Sequence, residues 1–102
     1  MHVHVSAGEV LDATVLRSYC VGAAHMALGW VRSEAITVDA DGVPHDLTMR
    51  SFGVLRSIDT PLIDVEIEPG SGPSVNGSDA VFAAAAAAAW RHAGYPARWP
   101  LT

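Results

Sequence analysis

The chain has 102 residues, enough for one domain and too few for a second. Half of them are apolar, which suits a packed core and excludes a disordered chain. All six cations are Arg and the net charge is −5, so there is no electrostatic footprint for nucleic acid or an anionic membrane surface.

Cys20 is the single cysteine and cannot form an internal disulfide, so nothing points to secretion. The opening "MHVHVSAGEV" has no basic stretch followed by an apolar one and does not read as a signal peptide. Arg17 and His25 interrupt the apolar run over 13–31, which is too polar for a membrane span. The expected location is the cytoplasm.

"HVHVS" alternates and predicts a short strand, with Val3 and Val5 on one face and His2 and His4 on the other. Asp12 is a suitable N-cap for a helix running from Ala13 to about Val31. Val15, Leu16, Tyr19, Cys20, Ala23, Ala27, Leu28 and Trp30 or Val31 recur there at helical spacing. In its second half, "VGAAHMALGWV", His25 is the only polar side chain. A helix apolar all round must be covered all round, and one small sheet covers one side.

"AITVDADG" predicts a strand with Ile36 and Val38 on one face, closed by the Asp41-Gly42 turn signal. A short return strand is expected around Phe52 to Leu55. "LIDVEIE" is the clearest strand, with Ile63, Val65 and Ile67 facing inward and Asp64, Glu66 and Glu68 facing water. A Gly-, Pro- and Ser-rich loop follows. Ser78 or Asp79 is the expected cap of the last helix, which carries seven consecutive alanines and stops at Gly94. The prolines of "YPARWPLT" keep the tail extended. The expected architecture is α+β: a small antiparallel sheet of three or four strands packed with two helices, about 12–31 and 79–93.

With these elements laid out, the stretch from Leu11 to Ile67 resembles the C-terminal segment of the molybdenum-binding large subunit of the xanthine dehydrogenase and aldehyde oxidase family, which includes carbon monoxide dehydrogenase large chains. That family carries Asn-Pro followed by Gly-Gln, a Gly pair and Leu-Gly-Trp/Tyr. The matching positions here are Asp12, Ser18-Tyr19, Gly22-Ala23 and Leu28-Gly29-Trp30. An acidic-Asp-Gly turn follows (Asp39 to Gly42), then an aromatic strand residue (Phe52) and Asp-x-Pro-x-Ile (Asp59 to Ile63). Pro100-Leu101-Thr102 resembles the Pro-Leu-Thr of the family's segment.

The resemblance implies a site from which the working residues are missing. The family's Gln near the molybdenum cofactor is matched by Tyr19. The loop that carries its catalytic glutamate is matched by "GSGPSVNGSDAVF", which has none. Asp79 is the nearest carboxylate there, one methylene shorter, and catalytic geometry tolerates little displacement. On its own this chain is therefore not expected to be a molybdenum hydroxylase, and no cofactor is expected.

The remaining candidates are few. His2 and His4, two apart on a strand, have the spacing of paired metal ligands; with no third ligand nearby, an exposed strand and no metal are expected. His25, alone in an apolar helix, reads first as a hydrogen-bonded core histidine and second as a catalytic base. Tyr19 and Asp79 complete the candidate set, although Asp79 reads most simply as a cap. Cys20 is expected in the core. Arg17, Arg50 and Arg56 are either solvated or a grip for an anionic ligand.

Three functions remain. The leading one is an accessory or self-associating module, a homodimer or the companion of a larger subunit, with Gly22, Ala23, Ala27 and Gly29 permitting close helix approach. The second is a repurposed cofactor-independent enzyme, an isomerase or cyclase, with a small-molecule ligand near Tyr19, His25 and the loop ending at Asp79. The third is a split subunit that completes a molybdenum hydroxylase.

Overall fold

The computed structural model describes residues 1–100. The order is strand β1 (His2–Val5), helix α1 (Ala13–Arg32), a single helical turn α2 (Met49–Phe52), strand β2 (Asp64–Ile67) and helix α3 (Gly77–His92), with a 3-10 turn at Ser57–Asp59 before β2. The protein is mixed α+β. Leu101 and Thr102, the last two residues of the Pro-Leu-Thr match, lie outside the described residues.

The sheet differs from the antiparallel one expected. It has two strands, and they are parallel, with Val3 beside Val65 and Val5 beside Ile67. Parallel neighbours need a long crossover, and α1 with the coil after it supplies one. Ile36–Val38 forms no strand because its surroundings consume the backbone donors locally. The Asp39 carboxylate accepts the N–H of Asp41 at 2.9 Å and of Val43 at 3.0 Å, and Thr37 N–H donates to Asp46 at 3.1 Å. His45 N–H to the Thr37 carbonyl, 2.7 Å, and Asp39 N–H to the Val43 carbonyl, 3.1 Å, make one antiparallel bridge, Val38 to Pro44, which the diverted Thr37 and Val43 donors do not extend. The return strand expected from Phe52 is replaced by α2. Thr48 caps it by accepting the Ser51 N–H at 3.1 Å, while Ser51 accepts the Thr48 N–H.

Both long helices stand close to their expected limits. Asp12 caps α1, its Oδ1 accepting the Val15 N–H at 3.1 Å. Asn76, not Ser78 or Asp79, caps α3. Its Oδ1 accepts the Asp79 N–H at 3.2 Å and its Nδ2 donates to the Asp79 carboxylate at 2.9 Å, so Asp79 sits one turn inside as the cap's return partner. Gly94, at φ 84, takes the left-handed conformation that ends α3.

The core lies between α1, α3 and the inner face of the sheet. Cys20, Ala23, Ala24, Ala27, Leu28 and Val31 of α1 meet Val81, Ala85, Ala86 and Ala89 of α3, with Val5 and Val65 beneath. Leu28 is fully buried, a contribution of about 1.5–3 kcal/mol. Alanines let the two axes approach closely, and Gly77 does the same at the start of α3. A Cβ there would sit 3.1 Å from Ala7 Cβ and 3.2 Å from Val5 Cγ2. Ala23, Ala27 and Gly29, expected to admit an outside helix, are buried within the chain. Among the described residues no helix is long and apolar enough to cross a membrane.

Candidate functional site

Turning one face of α1 inward leaves a narrower apolar stripe outside, beside the exposed Thr14, Arg17 and Ser18. Val15 (49 % exposed), Tyr19 (66 %), Met26 (55 %) and Trp30 (47 %) fall on successive turns of that outer face. Gly22 fills the turn between Tyr19 and Met26, and nothing lies within 4 Å of the place its Cβ would take. Leu11 extends the stripe past the helix start. Arg17 is the only charged residue between Ala13 and Val31, and its Nε–H donates to the Val65 carbonyl at 3.4 Å, away from the stripe. At the far end Trp30 is fixed by Phe82, with ring centroids 5.5 Å apart, and by the edge of Trp99 at 4.8 Å.

Two clefts flank this helix and divide the candidate residues between them. Tyr19 lies in a cleft of about 400 Å³ with Glu9, Val15, Ser74, Asn76 and Ser78. His25 lies in another, of about 790 Å³, walled by Val21, Met49, Leu55, Pro61 and Ile63. Asp79 lines neither and spends its carboxylate on Asn76. The three residues therefore do not converge on one pocket.

His25 makes the hydrogen bond expected of an enclosed histidine, its Nε2–H donating to the Leu55 carbonyl 2.8 Å away. Glu34 lies close enough for the two charges to interact. Burial pushes its carboxyl above the ordinary carboxylate value, while the charge of His25 pulls it down. Sequence reasoning missed Glu34, which follows the end of α1 where no periodicity marks it. It also missed Glu9, which the Glu9 N–H bond to the Gly72 carbonyl, 3.2 Å, ties beside the Tyr19 cleft.

His2 and His4 face solvent beside the carboxylates of β2. His2 Nδ1 is 2.9 Å from Asp64 and Nε2 is 3.3 Å from Glu66, while His4 Nε2 is 3.4 Å from Glu68. The hydrogen bond to Asp64 is the main cause that raises the His2 pKa. Among the described residues no group of three His, Cys, Asp or Glu side chains is placed to hold a metal ion. Arg50 and Arg56 share a cleft of about 610 Å³, where Asp59, 2.8 Å from Arg56 Nε, neutralises the second guanidinium. Cys20 is buried, which pushes its thiol pKa up and leaves it unreactive.

No family model matches the chain, and no curated protein matches it.

Proposed function

We propose that this chain is a self-associating accessory module, a cofactor-free relative of the C-terminal segment of xanthine dehydrogenase-type large subunits. The observation that carries the reading is the outer face of α1, where Val15, Tyr19, Met26 and Trp30 stand exposed without a charge among them. A contiguous apolar patch of this kind is a liability unless another surface covers it. In a large subunit the rest of the protein does so; here a second copy of the chain is the cover that needs no further component.

The resemblance spans α1, α2 and β2, and the residues at the family's cofactor positions do not fit a molybdenum cofactor. Tyr19 stands in place of the Gln, and Asp79 turns its carboxylate to Asn76. The reading is of a cytoplasmic protein, supported by the single buried cysteine.

Light scattering on the purified chain tests it. A mass of twice 10.7 kDa, stable on dilution into the low micromolar range, supports self-association; a monomer at all concentrations removes it.

A second reading rests on His25. Its ring is held at Nε2 by the Leu55 carbonyl, which leaves Nδ1 as the other ring nitrogen, and the residue lines a largely apolar cleft. A small-molecule enzyme without a cofactor would use that nitrogen as its base. Turnover that survives His25→Ala removes this reading.

A further inference from the structure

Backbone groups along β1 alternate in direction, and only half of them are used. The Met1 and Val5 carbonyls accept the Asp64 and Glu68 N–H groups, at 2.9 and 2.8 Å. With Val3 beside Val65 in a parallel pair, the residues that bond toward β2 are therefore Met1, Val3 and Val5. The N–H and C=O groups of His2 and His4 point the other way and find no partner among the described residues. On the far edge of β2 the Val65 carbonyl is taken, accepting the Arg17 Nε–H at 3.4 Å. β1 carries neither Pro nor Lys to blunt its own edge.

A groove of about 370 Å³ runs beside that edge, between β1 and the exposed Ala80, Ala84 and Ala88 on successive turns of α3. We propose that the β1 edge docks an extended peptide segment of a partner protein, apolar and basic in alternation, as a third strand of the sheet. The free backbone groups specify the occupant. Donor and acceptor sets two residues apart, about 6.6 Å, match the repeat of another extended backbone. The pleat sends alternate side chains of the added strand inward over α3, where the alanines leave room for Val or Ile. It sends the others to the outer face, where Asp64, Glu66 and Glu68 stand beside His2 and His4. Three carboxylates outnumber two imidazoles even when both are protonated, so Lys or Arg is favoured there. The docking uses nothing from the outer face of α1 and is independent of the self-association proposed above.

The probe is an acetylated and amidated heptapeptide of alternating Lys and Val, titrated into the full chain. Binding should slow amide exchange at His2 and His4 by about tenfold or more, read by NMR, and leave Val3 unchanged. Only one set of the peptide's N–H groups faces β1, so N-methylation of either the Lys or the Val amides should weaken binding by about tenfold, and the other set far less. Ala84→Arg, at an exposed position, obstructs the groove and should weaken binding as much while leaving the thermal transition in place. No binding at millimolar peptide would overturn the proposal. So would binding that leaves the His2 and His4 amides unprotected or ignores both N-methylations, which assigns the contact to the charged face alone. Protection of those amides in the peptide-free chain, lost on dilution, would give the edge to a second copy and equally overturn it.

Discussion

His25 on α1 donates its Nε2–H to the carbonyl oxygen of Leu55, 2.8 Å away and 30 residues along the chain. This bond ties the coil between α2 and β2 to the middle of the long helix, at the place where the crossover must turn back to the sheet. It also assigns His25 a structural task that requires no substrate. His25→Ala leaves a part-buried carbonyl without its donor, and a loss of about 1–3 kcal/mol in chemical denaturation is expected. A loss below a few tenths of a kcal/mol would mean that water replaces the ring freely.

The solvent face of the sheet titrates. Asp64 first, and Glu66 after it, raise the His2 pKa above the ordinary value of 6.5. Charged His2 is therefore favoured by the folded state. Its contribution is fully present below 6.5 and is lost as pH rises through the raised value. An NMR titration of the His2 ring should have its midpoint above 6.5, moving down in Asp64→Asn. The opposite sign holds at Asp39, where the His45 hydrogen bond lowers the carboxyl below 3.8. That contribution is present above 3.8 and is lost as pH falls through the lowered value.

The alanine run of α3 is not uniform in its demands. Ala85, Ala86 and Ala89 are buried against α1, while Ala83, Ala84, Ala87 and Ala88 are exposed. Ala86→Leu should overpack the interface and cost about 1–3 kcal/mol, whereas Ala83→Leu should change stability by no more than about 0.5 kcal/mol. Equal effects at both positions, measured by urea denaturation, would contradict the observed helix orientation.

Capping was legible at α1 and misread at α3. Asp12→Ala should cost about 0.5–2 kcal/mol. Asn76→Ala should cost a similar amount and more than Ser78→Ala, because Asn76 and not Ser78 holds the first turn. The reverse order in thermal melts would put the cap where the sequence first suggested it.

Helical periodicity, the Asp12 cap and the Gly94 stop were local signals, and they located both long helices to within two residues. The alternation of "LIDVEIE" likewise marked β2. What stayed hidden depends on residues distant in sequence. Whether β1 and β2 run parallel is decided by the crossover between them, and the strand expected at Ile36–Val38 was lost to carboxylates of Asp39 and Asp46 that wrap the local backbone. The exposed stripe was half legible. An all-apolar helix was evident, but Ala23 and Ala27 could be assigned inward, and Tyr19 and Met26 outward, only once α3 and its alanines were in place. Tyr19 and His25 are six residues apart on one helix, a spacing that sets them on different faces, whereas the turn of the Asp79 carboxylate to Asn76 shows only in the folded chain.

The most direct measurement is the solution mass of the full chain beside a Tyr19→Arg/Met26→Arg double variant, by sedimentation equilibrium at matched concentrations. The account predicts a dimer for the unsubstituted chain, and a 10.7 kDa-class monomer for the variant with an unfolding transition as cooperative as before, since both side chains are exposed. A variant that remains dimeric, or an unsubstituted chain that is monomeric, would contradict association through the outer face of α1.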